Sequence, residues 1–176
     1  MNYYIADMHL GHKNVIRFDS RPFKDVEEMN SILIANWNAK VTDNDDVWIL
    51  GDFCYRSEAD PSFYLKQLKG RKHLIIGNHD KAIIKSVSAP RYFESIERLQ
   101  HLKDGERNVI LCHFPLADWN GKHRGSYHIY GHIHNNQDEV FWFMKRQERA
   151  LNAGCMLNNY EPVSLDELIK NRKMQK

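Results

Sequence analysis

"LIIGNHDK", residues 74–81, runs as an apolar segment straight into Gly77, Asn78, His79 and Asp80. The uninterrupted apolar start has the character of a short strand covered on both faces. Glycine, asparagine and aspartate are poor strand formers, so the strand must end there. The residues at which it ends carry metal and proton chemistry. The same punctuation recurs along the chain. "YYIA" (3–6) runs into Asp7, Met8 and His9; "VWIL" (47–50) into Gly51 and Asp52; "NVILC" (108–112) into His113; and "YHIY" (127–130) into Gly131, His132, Ile133 and His134.

Working outward, the spacing predicts strands over 3–6, 47–50, 73–76, 109–112 and 127–130, with a weaker pair over 140–144 and 149–153. Helical patterns lie between them. Met29, Ile32, Leu33 and Trp37 form an apolar stripe within 25–40, the repeat of an amphipathic helix. Residues 60–68 read as a second helix, with Pro61 in its first turn and Gly70 just beyond its end. Ser164 and Glu167 form a capping box that opens a last, basic helix. Strands alternating with helices imply an α/β protein with layers on both sides of its sheet. No linker composition or internal repeat interrupts the chain, so residues 1–176 are expected to form a single domain.

Composition narrows the setting. Of 176 residues, 42% are hydrophobic and 27% charged, which fits a water-soluble globular chain and not a disordered or membrane-embedded one. A net charge of +2 leaves nucleic acid as a possible partner without indicating it. Three cysteines without a C-x-x-C pair fit a reducing compartment. The first residues lack the basic and apolar regions of a secretion signal, and no apolar run approaches 18 residues. A cytoplasmic protein with no membrane contact is therefore expected.

Ligands of open α/β sheets sit beyond the carboxyl ends of the strands. There, Asp7, His9, Asp52, Asn78, His113, His132 and His134 supply seven candidate ligands. In D-x-H and H-x-H the outer side chains leave an extended segment on one side and can share an ion. Seven ligands, with a carboxylate able to bridge, suit two ions roughly 3.5–4 Å apart. Nitrogen and oxygen donors without thiolate favour manganese, iron, cobalt, nickel or zinc over calcium or magnesium, and manganese is expected first among them.

The ordered blocks DMH, GD, GNHD, a lone His and GHIH resemble the calcineurin-like metallophosphoesterase superfamily, and they span residues 7–134. "HLGHKNVIRFDSRPF", residues 9–23, is similar to small phage and bacterial members of that superfamily. The resemblance implies a two-layered β-sandwich flanked by helices and a metal-dependent phosphoric ester hydrolase. It implies that Asp7, His9 and His134 hold one divalent ion, that Asn78, His113 and His132 hold the other, and that Asp52 bridges them. Catalysis by in-line attack of a metal-bridging hydroxide follows from the same resemblance, with His79 assisting the leaving oxygen and Asp80 orienting the His79 ring.

Further residues are candidates for the substrate. His12 in "HLGH" fits the pocket rim, and Lys13, Arg17 and Arg56 could grip a phosphate, as could Asn14 and Arg21. Tyr55 could stack on a base or simply pack. The loop 119–125, "WNGKHRG", could cover the site. His73, His101, His123 and His128 read as structural or surface residues, and the cysteines as small core fillers. The expected partner is a small phosphoester or nucleotide, monoester or diester. The alternatives are a non-catalytic metal-binding scaffold of the same fold and a small nuclease or nucleotide phosphodiesterase.

Overall fold

The computed structural model describes residues 1–174. One four-stranded sheet contains β1 (Asn2–Ile5), β2 (Asp46–Ile49), β3 (Arg71–Ile75) and β4 (Phe93–Glu97), in that order and all parallel. The other contains β5 (Leu99–Asp104), β6 (Arg107–Cys112), β7 (Tyr127–Tyr130) and β8 (Ala150–Asn152). Within it β5 is antiparallel to β6, and the remaining pairs are parallel. The helices are α1 (Lys13–Phe18), α2 (Val26–Lys40), α3 (Pro61–Leu65), α4 (Lys81–Lys85), α5 (Glu139–Lys145) and α6 (Leu165–Met174). This is a mixed α/β fold of two sheets flanked by helices.

The period-two geometry of a strand explains why the runs carry no polar face: both faces of each sheet are covered. In β1, Tyr4 enters the core between the sheets while Ile5 enters the core beneath α2. In β2, Trp48 faces the first of these and Val47 and Ile49 the second. Val109, Leu111, Ile129 and Leu151 complete the inter-sheet core from the other side. Ile110, Tyr130 and Ala150 pack outward with Met144 of α5 and Trp119. At one side of the sandwich Val163, Leu165 and Leu168 of the chain entering and forming α6 join the inter-sheet core.

Local sequence sets the helix ends. Asp25 caps α2 by accepting from Glu28 N at 2.8 Å, and Met29, Leu33 and Trp37 form its buried stripe. Asp60 caps α3, with Pro61 in its first turn. The capping box at α6 is complete: Ser164 N donates to Glu167 Oε2 at 2.7 Å and Glu167 N donates to Ser164 Oγ at 3.3 Å. All three helices begin where the sequence predicts.

Two expectations change. Residues 140–144 form helix, not strand: Asp138 accepts from Phe141 N and starts α5, which buries Met144 and leaves Trp142 48% exposed. Strands β4 and β5 were not anticipated, because neither buries a side chain fully and so neither carries an apolar run. Among the described residues, no helix is long and apolar enough to cross a membrane.

Candidate metal centre

The carboxyl ends of β1, β2, β3, β6 and β7 meet at one end of the sandwich and bring the candidate ligands together. Ligand atoms of Asp7, His9, Asp52 and His134 all lie within 4.8 Å of one another. His9 Nε2 stands 3.2 Å from His134 Nε2 and 3.6 Å from Asp52 Oδ2. Asp52 Oδ2 is also 3.7 Å from His113 Nε2, which in turn lies 3.0 Å from Asn78 Oδ1. The His132 ring is 5.1 Å from that of His113. One carboxylate oxygen of Asp52 thus stands between the two groups of ligands.

The hydrogen-bond roles show that this donor set fits cations. His113 Nδ1–H donates to the Leu50 carbonyl at 2.8 Å, so its Nε2 carries a lone pair. That lone pair faces the amide oxygen of Asn78 and the carboxylate of Asp52. His134 Nδ1–H donates to the Asp19 carboxylate at 2.8 and 2.9 Å, which fixes its ring with Nε2 toward His9. At His113, Asn78 and Asp52, acceptors that face one another repel unless a cation lies among them. Burial favours the uncharged imidazoles further: it depresses the pKa of His9 to about 2 and lowers those of His113 and His132. Burial also raises the Asp7 carboxyl to about 7, against the lowering effect of His134.

The backbone is bent at the same places. Asp7, His9, Asp52, His132 and His134 hold φ values between 52° and 71°, and they are five of the nine non-glycine residues with positive φ among the described residues. Left-handed backbone costs such residues on the order of 1 kcal/mol each, so the strain falls largely on candidate ligands. Gly131 permits a close approach: a Cβ there would lie 2.6 Å from Ala6 Cβ and 2.8 Å from Asp7 Oδ2.

A family model described as calcineurin-like phosphoesterase matches residues 3–153. The chain belongs to the calcineurin-like phosphoesterase family. Its similarity to an uncharacterized protein of Methanocaldococcus jannaschii is 34% identity over 170 residues, covering 96% of this chain and 89% of that one. The Gene 66 protein of Mycobacterium phage D29 is 31% identical over 160 residues, covering 76% and 78%. Among solved structures, a protein of unknown function from Aquifex aeolicus superposes with a TM-score of 0.76 at 27% identity, covering 97% of this chain and 98% of that one.

Around this site, the other expected residues divide. His79 N donates to Asp52 Oδ1 at 2.8 Å. The His79 ring lies 5.6 Å from that of His9 and lines a cavity of about 430 Å³ over the ligands. Asp80 does not orient that ring. Its carboxylate is fully buried and accepts from the backbone N–H groups of Gly77, Asp52 and Phe53 at 2.7, 2.9 and 3.0 Å. It therefore braces the turn that presents Asn78 and His79 against the turn that presents Asp52. His12 and Arg56 line both the cavity and an adjoining groove, whereas Lys13 and Arg17 line only the groove. Arg21 is 4% exposed and donates to Asp19, to Asp7 O and to Met8 O, so it holds the ligand turn after β1 and does not meet substrate. The loop 119–125 packs beside His101 and Lys103 on the outer face of the second sheet, away from the ligands.

Asp19 is the residue that sequence reading missed. It links His134 to Arg21 from a position well outside the strand-end blocks, and its only signal is the D-x-R spacing in "FDSRPF", residues 18–23. Asn152 at the end of β8 adds a second support, donating to His134 O at 3.1 Å.

Proposed function

We propose that the protein hydrolyses phosphoesters at two divalent ions, with manganese as the first candidate. The observation that carries this reading is Asp52 Oδ2 standing between His9 Nε2 at 3.6 Å and His113 Nε2 at 3.7 Å, the arrangement a bridging carboxylate needs. Asp7, His9 and His134 would hold one ion, Asn78, His113 and His132 the other, and Asp52 both. When bound, such ions supply Lewis acidity to the phosphoryl oxygens and a nucleophile from water near neutral pH. The chain's own residues do the rest. Asp19 and the Leu50 carbonyl fix the tautomers of His134 and His113. The Asp80 brace sets His79 beside the cavity, where its ring can hold a proton for the leaving oxygen.

The substrate is proposed to be a small phosphoester or nucleotide, given a cavity of about 430 Å³. Three free, buried cysteines agree with a reducing compartment, which we take to be the cytoplasm. Metal-stripped protein assayed with and without manganese on p-nitrophenyl phosphate and bis-p-nitrophenyl phosphate tests the reading, with Asp52→Asn as control. Manganese-dependent turnover that the variant lacks is expected, and the ratio of the two rates reports monoester or diester preference. Tight metal binding with no turnover on either would favour a scaffold. His79→Ala should retain the ions and lose turnover; if it releases them, His79 is a ligand.

A further inference from the structure

Phe18 ends α1 with its ring 62% exposed at the edge of the cavity over the ligands. From there the rings form a row. His12 lies edge-on to Phe18 at 6.2 Å and perpendicular to Tyr55 at 5.0 Å, and Tyr55 lies 4.0 Å from His79. His12 is only 7% exposed, lines the cavity, and keeps Nδ1 without a hydrogen-bond partner. The Phe18 ring meets water instead of the core, and a ligand with a flat apolar face would cover it.

Charge accompanies the rings. Exposed guanidinium groups of Arg17 and Arg56 lie over Phe18 at 5.3 Å and over Tyr55 at 5.2 Å. Rings interleaved with cations suit a ligand in which bases alternate with phosphates. The space allows it: the cavity of about 430 Å³ continues past His12 and Arg56 into a groove of about 990 Å³.

We infer that the row Phe18–His12–Tyr55 is a base subsite, taking the heterocyclic base of a nucleoside phosphoester whose phosphate lies at the metal ligands. This rests on the phosphoesterase reading above and narrows its substrate class: a sugar phosphate or a phosphorylated serine has no flat π-face for these rings.

Adenosine 5′-monophosphate and ribose 5-phosphate share sugar and phosphate and differ by the base. Their inhibition constants against manganese-dependent hydrolysis of bis-p-nitrophenyl phosphate therefore isolate the subsite. Stacking on one or two rings should favour the nucleotide by roughly five- to a hundredfold. Phe18→Ala and Tyr55→Ala should each reduce that preference several-fold, Tyr55→Phe should retain it, and melting temperatures would verify that the variants fold. Equal inhibition by the two compounds overturns the base subsite and leaves the phosphoesterase standing. A preference that survives both alanine substitutions places the base elsewhere and overturns the assignment. If neither bis-p-nitrophenyl phosphate nor p-nitrophenyl phosphate is hydrolysed, the phosphoesterase reading fails. Calorimetric titration of the two compounds then decides the subsite by itself: a difference sustains it, and equal or absent binding overturns it.

Discussion

Asp19 joins His134 of the candidate metal site to a buried guanidinium, with side chains of Asp19 and Arg21 only 5% and 0% exposed. Asparagine at this position has one oxygen, and its N–H groups would face donors. Asp19→Asn should therefore leave Arg21 charged and poorly paired, lowering stability by about 3–5 kcal/mol in denaturant melts. It should also weaken manganese binding roughly 10- to 100-fold by calorimetry, since His134 loses its orienting acceptor. Unchanged metal affinity would show that Asp19 serves folding alone. Asp80 gives a second test. With three backbone donors on its carboxylate, Asp80→Asn should cost about 1–3 kcal/mol for each donor left unsatisfied. An unaltered melting curve would show that these three bonds do not brace the fold. The candidate ligands were legible in sequence because each lies within four residues of the end of an apolar run. Asp19 was not, because its partners are 115 residues and 2 residues away and only folding brings them together.

At the scale of elements, the strand-to-turn junctions decide the site. Five candidate ligands sit in left-handed backbone, and the glycines beside them leave room for a neighbouring turn. Gly131→Ala would drive a methyl group into Ala6 and the Asp7 carboxylate, which stand 2.6 and 2.8 Å from the Cβ position. The expected result is loss of the first ion, read as a metal-to-protein ratio nearer one than two, with a lower melting temperature. Full occupancy in this variant would mean that the β7 turn can shift. Helices with caps were readable, as Asp25, Asp60 and Ser164 show. Edge strands without buried side chains were not. "FESIE" in β4 and "LQHLKD" in β5 carry weak alternation, and their pairing partners lie in β3 and β6. "VFWFM" reads as apolar in either period, and the Asp138 cap settles it as helix.

For the whole molecule, each proposed ion draws ligands from both sheets. The turns after β1, β2 and β3 provide Asp7, His9, Asp52 and Asn78, and those after β6 and β7 provide His113, His132 and His134. Ions at this position would cross-link the two layers and bind the folded chain alone. Manganese at a hundredfold excess over its dissociation constant should stabilise the fold by about 2.7 kcal/mol per independent site. Calorimetric melting should therefore move upward with manganese, and Asp52→Asn should abolish the shift. A shift that persists in this variant would place the ions elsewhere. The sequence by itself determined the α/β class, the capped helices and the clustering of candidate ligands at strand ends, because apolar periodicity, caps and strand-end residues are local properties. Only the tertiary structure decided that Asp80 braces backbone instead of a histidine, that Asp19 and Arg21 hold the site, and that rings from two separate turns line one cavity. Those are contacts between segments distant in sequence, fixed by the packing of one sheet on the other and by which buried polar atoms had to find partners.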